Sequence, residues 1–179
     1  MPVSPLRTER LLLRAWEDSD AEAVLDIYSR EDVYRWLGNP PTPCPDLDAA
    51  RARITRWNAL PTDGLEGLWA VETPGIAGIA PQPCGTALLV PLTTSSGEKS
   101  DTREIGWHLH PAAWGFGVAT ESARALIDQA RVNGLAEVHA VVYPDNERSL
   151  AVCDRLRMTR LGLTDQWCGV ELVDHVLAL

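Results

Sequence analysis

The sequence predicts an α/β fold, a mixed sheet with helices on both faces, and three observations carry that reading. Apolar residues recur at every second position in some stretches and every third or fourth in others, the two kinds alternate along the chain, and a double-glycine turn separates a strand from the best helix. The 179 residues, 45% of them apolar, suffice to bury about 70% of the unfolded surface by size scaling and fall within the range of a single domain over 1–179.

Arg10–Trp16 reads as a first strand, and Ser19-Asp20-Ala21-Glu22 as a capping box opening a helix with Val24, Ile27 and Tyr28 on one face, ending near Arg30. After the breaker region Gly38–Pro45, Leu47, Ala50, Ile54 and Trp57 have helical spacing, and Pro61 closes that helix. Leu68–Thr73 and Gly85–Leu92, bounded by Pro and Gly, read as an antiparallel strand pair. Thr93–Thr102 is Ser/Thr-rich and charged, the composition of an exposed loop.

Arg103–His110 alternates Ile105, Trp107 and Leu109 against Glu104, Gly106 and His108, a strand with one apolar and one polar face. Val118–Val132 carries Ala119, Ala123, Leu126 and Ala130 on one stripe, whose small residues allow close packing on a sheet. Val138–Tyr143 is then a strand, Asn146 caps a helix with Leu150, Cys153 and Leu156, and Thr159–Thr164 and Glu171–Leu179 are terminal strands. The order is β-α-α-β-β-β-α-β-α-β-β, without internal repeat or linker.

Charge and composition exclude several classes. A net charge of −9 argues against bulk binding to nucleic acid or anionic lipid and mildly favours a cationic partner. No stretch approaches the roughly 20 apolar residues of a membrane span, and Met1–Arg10 lacks the apolar core of a signal peptide, so a cytoplasmic protein is expected. Cys44, Cys84, Cys153 and Cys168 show no C-x-x-C spacing, so neither a metal site nor a redox pair is indicated.

The chemistry is expected between Glu104 and Ser149. In Trp114-Gly115-Phe116-Gly117-Val118-Ala119, the glycines let successive backbone N–H groups converge, and the following helix adds the positive end of its dipole. That combination suits a diphosphate. A purely structural helix start explains one glycine only. A dinucleotide fingerprint would need a third glycine where Thr120 stands, directly after a strand, and a P-loop would need G-K-[ST].

Taken together, Glu104-Ile105-Gly106-Trp107, His110-Pro111, the run from Trp114 to Ser122 and Pro144-x-Asn146-x-x-Ser149 resemble the GNAT superfamily of N-acetyltransferases. Within it they are most similar to the RimJ/RimL branch, which acetylates protein N-termini and small amines. The likeness runs from Thr8-Glu9-Arg10-Leu11 to the final strand. It implies a mostly antiparallel twisted sheet with one splayed parallel pair, and acetyl-CoA as cosubstrate with no metal. The superfamily turn is [QR]-x-x-G-x-[GA]; here Trp114 takes the first position, as is habitual in that branch.

By this resemblance, the turn from Trp114 through Gly115, Phe116, Gly117, Val118 and Ala119 to Thr120 would hold the CoA diphosphate. Trp107, His108 and Leu109 would border the pantetheine arm, which Asn146 would also touch. An amine attacks only when neutral, and a departing thiolate needs a donor, which calls for a base and an acid. Glu104 and Ser149 fill those roles in the resembling branch. Each has a plainer reading as well: a solvated strand-end carboxylate with a pKa of about 4.3, and a hydroxyl capping the Asn146 helix.

Tyr143 reads as core, and His108 and His110 as exposed or hydrogen-bonded histidines rather than bases. Trp16, Trp57, Trp69 and Trp107 fit core positions; Trp36 and Trp167 lie where an acceptor pocket or a dimer contact would form. The acceptor would be a small-molecule or peptide amine, and the branch admits a homodimer. A catalytically silent acyl-CoA-binding module would share the same turn, and Glu104 and Ser149 discriminate the two.

Overall fold

The computed structural model describes residues 3–60, 65–80 and 82–179. Pro61, expected to close the second helix, lies outside them. Among the described residues, eight strands form one sheet in the order β1-β2-β3-β4-β5-β6-β8-β7. They are β1 Leu6–Arg7, β2 Leu12–Arg14, β3 Gly67–Glu72, β4 Gly85–Thr93, β5 Lys99–Leu109, β6 Glu137–Val142, β7 Thr159–Thr164 and β8 Leu172–Ala178. Every pairing is antiparallel except β5 with β6. Five α-helices complete the architecture: α1 Ala21–Tyr28, α2 Glu31–Tyr34, α3 Leu47–Asn58, α4 Val118–Val132 and α5 Glu147–Arg155.

Alternation along the strands splits the core in two. On β3, Trp69 and Val71 join the larger cluster with Leu89, Ile105 and the α4 residues Ala123, Leu126 and Ile127, whereas Ala70 joins Trp16 and the α1 and α3 residues Val24, Ile27 and Ile54. Because neighbouring strand residues point to opposite faces, α4 covers one face and α1 with α3 the other. Among the described residues, no helix is long and apolar enough to cross a membrane.

The predicted α4 and β7 match their observed bounds, and most other elements fall within a residue or two. Three expectations need correction. The capping box is not built on Ser19: the Glu17 side chain and Asp20 exchange bonds with each other's backbone, and the Glu17 N–H donates to Asp20 Oδ2 at 2.8 Å. Arg14 holds Asp20 in place with paired bonds of 2.7 and 2.9 Å, a tertiary contact that decides which residue starts the helix. The expected loop Thr93–Thr102 is largely hairpin, since β5 begins at Lys99 and Thr93 pairs with it. Cross-strand pairing overrides a loop-like composition there. The first predicted strand contracts to β2, and β1 precedes it, pairing Leu6 with Leu13.

Candidate active site

The site is organised by the way β5 and β6 separate. Their one registered pair is Glu104 with His139, although β5 continues to Leu109 and β6 to Val142. Past that pair the strands part, which leaves backbone hydrogen-bonding groups on both inner edges without a strand partner. Two connected chambers open around the gap. One, of about 790 Å³, is lined by Leu109, Trp114, Gly115, Gly117, Ala119 and Arg148 among others. The other, of about 320 Å³, includes Leu88, Val90, Glu104, Tyr143, Cys168 and Leu172. Trp36, Leu37, Trp107, His108, Asn146 and Ser149 border both, so the two are one cleft.

The larger chamber contains the glycine turn. Gly115 and Gly117 have φ of 83° and 79°, the left-handed region in which a Cβ is strained, and Gly117 is the N-cap of α4. The first N–H of the helix to find a backbone acceptor is that of Glu121, on Gly117 O at 3.0 Å. Those of Gly117, Val118, Ala119 and Thr120 donate to nothing among the described residues. Convergent donors at a helix N-terminus form a ready anion cradle. The turn is braced from behind: the Arg10 guanidinium donates to Phe116 O at 3.1 Å and pairs with Glu121 at 2.6 Å, while the Thr8 hydroxyl donates to the same carboxylate. Burial pushes the Glu121 carboxyl up, but the bonds from Thr8 and Arg10 outweigh it and hold the pKa below the usual range.

Trp114 is fixed at both ends. Its indole N–H donates to Leu109 O at 3.0 Å, and the Arg148 guanidinium lies 4.4 Å over its ring. Arg148 and Arg155 line this chamber together with the carboxylates Asp32, Asp145 and Glu147, and neither arginine was singled out from the sequence. The only available signal for Arg148 was its place between Asn146 and Ser149. Phe116, by contrast, is 48% exposed and is not among the cleft-lining residues, so only its main chain is available to the turn.

Glu104 and Ser149 both border the smaller chamber, which brings together residues from β5 and α5. Burial pushes the Glu104 carboxyl up to about 7, with the Lys99 charge partly opposing and Asp174 adding to the rise. Glu104 is half-buried rather than fully solvated. The capping alternative for Ser149 is corrected, because Asn146 Oδ1 accepts the Ser149 backbone N–H at 3.2 Å. The cap uses the serine's main chain, and its hydroxyl makes no hydrogen bond among the described residues.

His108 is neither exposed nor a base: burial, helped by Arg53, lowers it to about 4, and its Nδ1 lies 3.2 Å from the Tyr28 hydroxyl, which also meets Thr86 Oγ1 at 2.6 Å. His110 is structural, its Nδ1 accepting from Ala112 N at 3.1 Å. Tyr143 is not core. It lines the smaller chamber, its ring 6.0 Å from that of Trp36 and its hydroxyl donating to Gly38 O at 3.4 Å. Trp107, Leu109 and Thr120 line the larger chamber. Trp167 stands beside the rim rather than in the cleft, its indole donating to Asp174 Oδ2 at 3.1 Å; Asp174 Oδ1 in turn lies 2.9 Å from His139 Nδ1.

Comparison with known proteins identifies the family and the fold. The acetyltransferase (GNAT) domain family model matches residues 10–159, and the chain belongs to that family. It is 29% identical over 162 residues to the uncharacterized N-acetyltransferase p20 of Bacillus licheniformis, covering 88% of this chain and 84% of that protein. The structure of a putative ribosomal-protein-serine acetyltransferase from Vibrio cholerae superposes with a TM-score of 0.77 at 17% identity, over 100% of this chain and 99% of that one. RimL, a ribosomal L7/L12 alpha-N-protein acetyltransferase solved with coenzyme A, gives 0.75 at 16% identity over 98% of each chain. The structural likenesses establish the fold, and the family match makes the chain an acetyltransferase.

Proposed function

We propose that the chain moves an acetyl group from acetyl-CoA directly to a primary amine, with residues 1–179 acting as one catalytic unit. The observation that carries this reading is the continuity of the cleft, in which a cradle of unpaired N–H groups opens into the space bordered by Glu104 and Ser149. The cradle from Gly115 to Thr120 holds the CoA diphosphate, with Arg148 adding charge, and the acyl arm lies in the gap between β5 and β6. Asn146, Trp107, His108 and Leu109 border that arm.

With a carboxyl near 7, about half of the protein carries an ionised Glu104 at neutral pH, so it can take the proton of an entering ammonium directly or through one water. The neutral amine then attacks the thioester carbonyl, and backbone N–H groups on the freed edge of β5 stabilise the oxyanion. Collapse breaks the carbon–sulfur bond, the Ser149 hydroxyl donates its proton to the departing thiolate, and the second proton of the amine nitrogen, passed directly or through water, restores the hydroxyl and leaves a neutral amide and a free thiol. Holding both reactants in one cleft supplies much of the rate, since orientation replaces a bimolecular encounter. Nothing in this sequence of steps requires a covalent acyl-enzyme.

The test is calorimetric titration with acetyl-CoA, using NAD and ATP as controls, followed by amine-dependent thiol release. Binding of acetyl-CoA alone, with release lost in Glu104→Ala and Ser149→Ala but affinity retained, supports the reading. Binding without release for every amine would instead mark a silent acyl-CoA-binding module.

A further inference from the structure

We infer that the acceptor is a monocationic primary amine attached to a compact apolar or aromatic group, rather than a polyamine or an aminoglycoside; this rests on the transfer reading above. The smaller chamber holds about 320 Å³, the low end of ligand pockets at roughly 300–1,000 Å³. Part of it lies between the parted strands, where the thioester belongs, so the room for an acceptor is smaller still. Its walls are mostly carbon, with Leu37, Leu88, Val90, Val170, Leu172 and the paired rings of Trp36 and Tyr143. Glu104 is the one Asp, Glu, Lys or Arg among the described residues lining it.

One carboxylate can receive one ammonium. A second ammonium on the same molecule would enter an apolar chamber unpaired, at a high desolvation cost. Asp32, Asp145 and Glu147 line the larger chamber, which the transfer reading gives to CoA, and the places nearer Glu104 are already taken. The outer face of Trp36, a natural cation platform, carries the Arg35 guanidinium 4.6 Å from the ring centroid. The Lys99 ammonium opposes the rise of the Glu104 carboxyl and is itself held with its Nζ 2.7 Å from Thr93 Oγ1. Asp174, the nearest further carboxylate acting on Glu104, is occupied by Trp167 and His139. The negative charge of the whole molecule draws cations in, but the chamber itself accommodates a single charge.

The apolar group with its one amine could belong to a free arylalkylamine or to a peptide N-terminus with an apolar first residue. Thiol release is measured with acetyl-CoA and equal concentrations of 2-phenylethylamine, a leucine-led peptide lacking lysine, spermidine and kanamycin. At least one of the first two should exceed both polycations in kcat/KM by tenfold or more, and which of the two it is identifies the source. Preference for spermidine or kanamycin, or no preference, overturns the inference while leaving acetyl transfer standing. If no amine releases thiol, the transfer reading fails, and the chamber is then read by tryptophan fluorescence of the CoA-saturated protein: phenylethylamine must bind at least tenfold more tightly than spermidine. Val90→Glu, directly opposite Glu104 in the β4–β5 register, should narrow the discrimination against spermidine by tenfold or more, and an unchanged ratio in the folded variant overturns the inference.

Discussion

Glu104 and His139 form the one registered pair between β5 and β6, so the carboxylate proposed as the base sits at the point where the two strands begin to part. That position places it beside the gap with part of its surface enclosed by protein, and partial burial follows from placement. The carboxyl is raised from 4.5 to about 7 as a result. We expect kcat/KM to climb as pH rises through about 7 and to level off above it, because the base acts only when ionised. In Glu104→Gln, kcat should fall by about 10²–10⁴-fold, the usual worth of a general base, with acetyl-CoA affinity retained and this inflection gone. A pH–rate profile of both proteins measures it.

The same shift has a consequence for stability. A carboxyl whose folded pKa lies above its unfolded value favours the folded state at low pH, and that contribution is lost as pH rises from 4.5 through about 7. Glu104→Gln is therefore expected to melt at a higher temperature than the parent at pH 8 and to lack that advantage at pH 4. Thermal midpoints at the two pH values test this, and an equal offset at both would remove the burial argument.

Asn146 and Ser149 divide their work at the start of α5, one by side chain and the other by main chain. Asn146→Ala should lower stability by about 1 kcal/mol, the ordinary cost of a lost cap. Ser149→Ala keeps the capped N–H, so its folding free energy should stay within about 0.5 kcal/mol of the parent while kcat drops at least tenfold. Urea unfolding and steady-state kinetics on the two variants separate the roles.

Gly117 begins α4 with φ of 79°, and a Cβ there would lie 3.4 Å from Arg10 Nη2. Gly117→Ala is expected to cost about 1–3 kcal/mol through backbone strain and to weaken acetyl-CoA binding at least tenfold as the turn rearranges. Calorimetry with CoA is the measurement. Retained affinity would show that the cradle is not the diphosphate site.

Arg10 couples the strand-leading segment to that turn through Phe116 O and Glu121. Arg10→Met should raise the acetyl-CoA dissociation constant several-fold and change kcat at saturation much less, because the bracing lies behind the cradle and away from Glu104 and Ser149. An equal fall in kcat would assign Arg10 to the chemistry instead.

Much of the fold was readable because it follows from local rules. The small-residue stripe defined α4 to its observed ends, alternation marked Glu104 and Ile105 as opposite-facing, and the family resemblance carried by the residues from Glu104 to Ser149 named the elements that meet at the cleft. What misled was composition at positions where tertiary contacts take over. The Ser/Thr-rich stretch after β4 reads as loop yet pairs as hairpin, and Ser19 reads as a cap until Arg14, reaching across from β2, fixes Asp20 instead.

By itself the sequence determined the order of the strands and helices apart from β1 and α2, the glycine turn, and which residue types could act as acid and base, because these depend on backbone preference, short-range periodicity and side-chain chemistry. The tertiary structure alone decided that Glu104 is buried enough to titrate near neutrality, that His108 stays uncharged, that Tyr143 faces the cleft, and that one carboxylate stands among apolar walls. Desolvation and enclosure are sums over atoms from segments far apart in the chain, and no local pattern carries them.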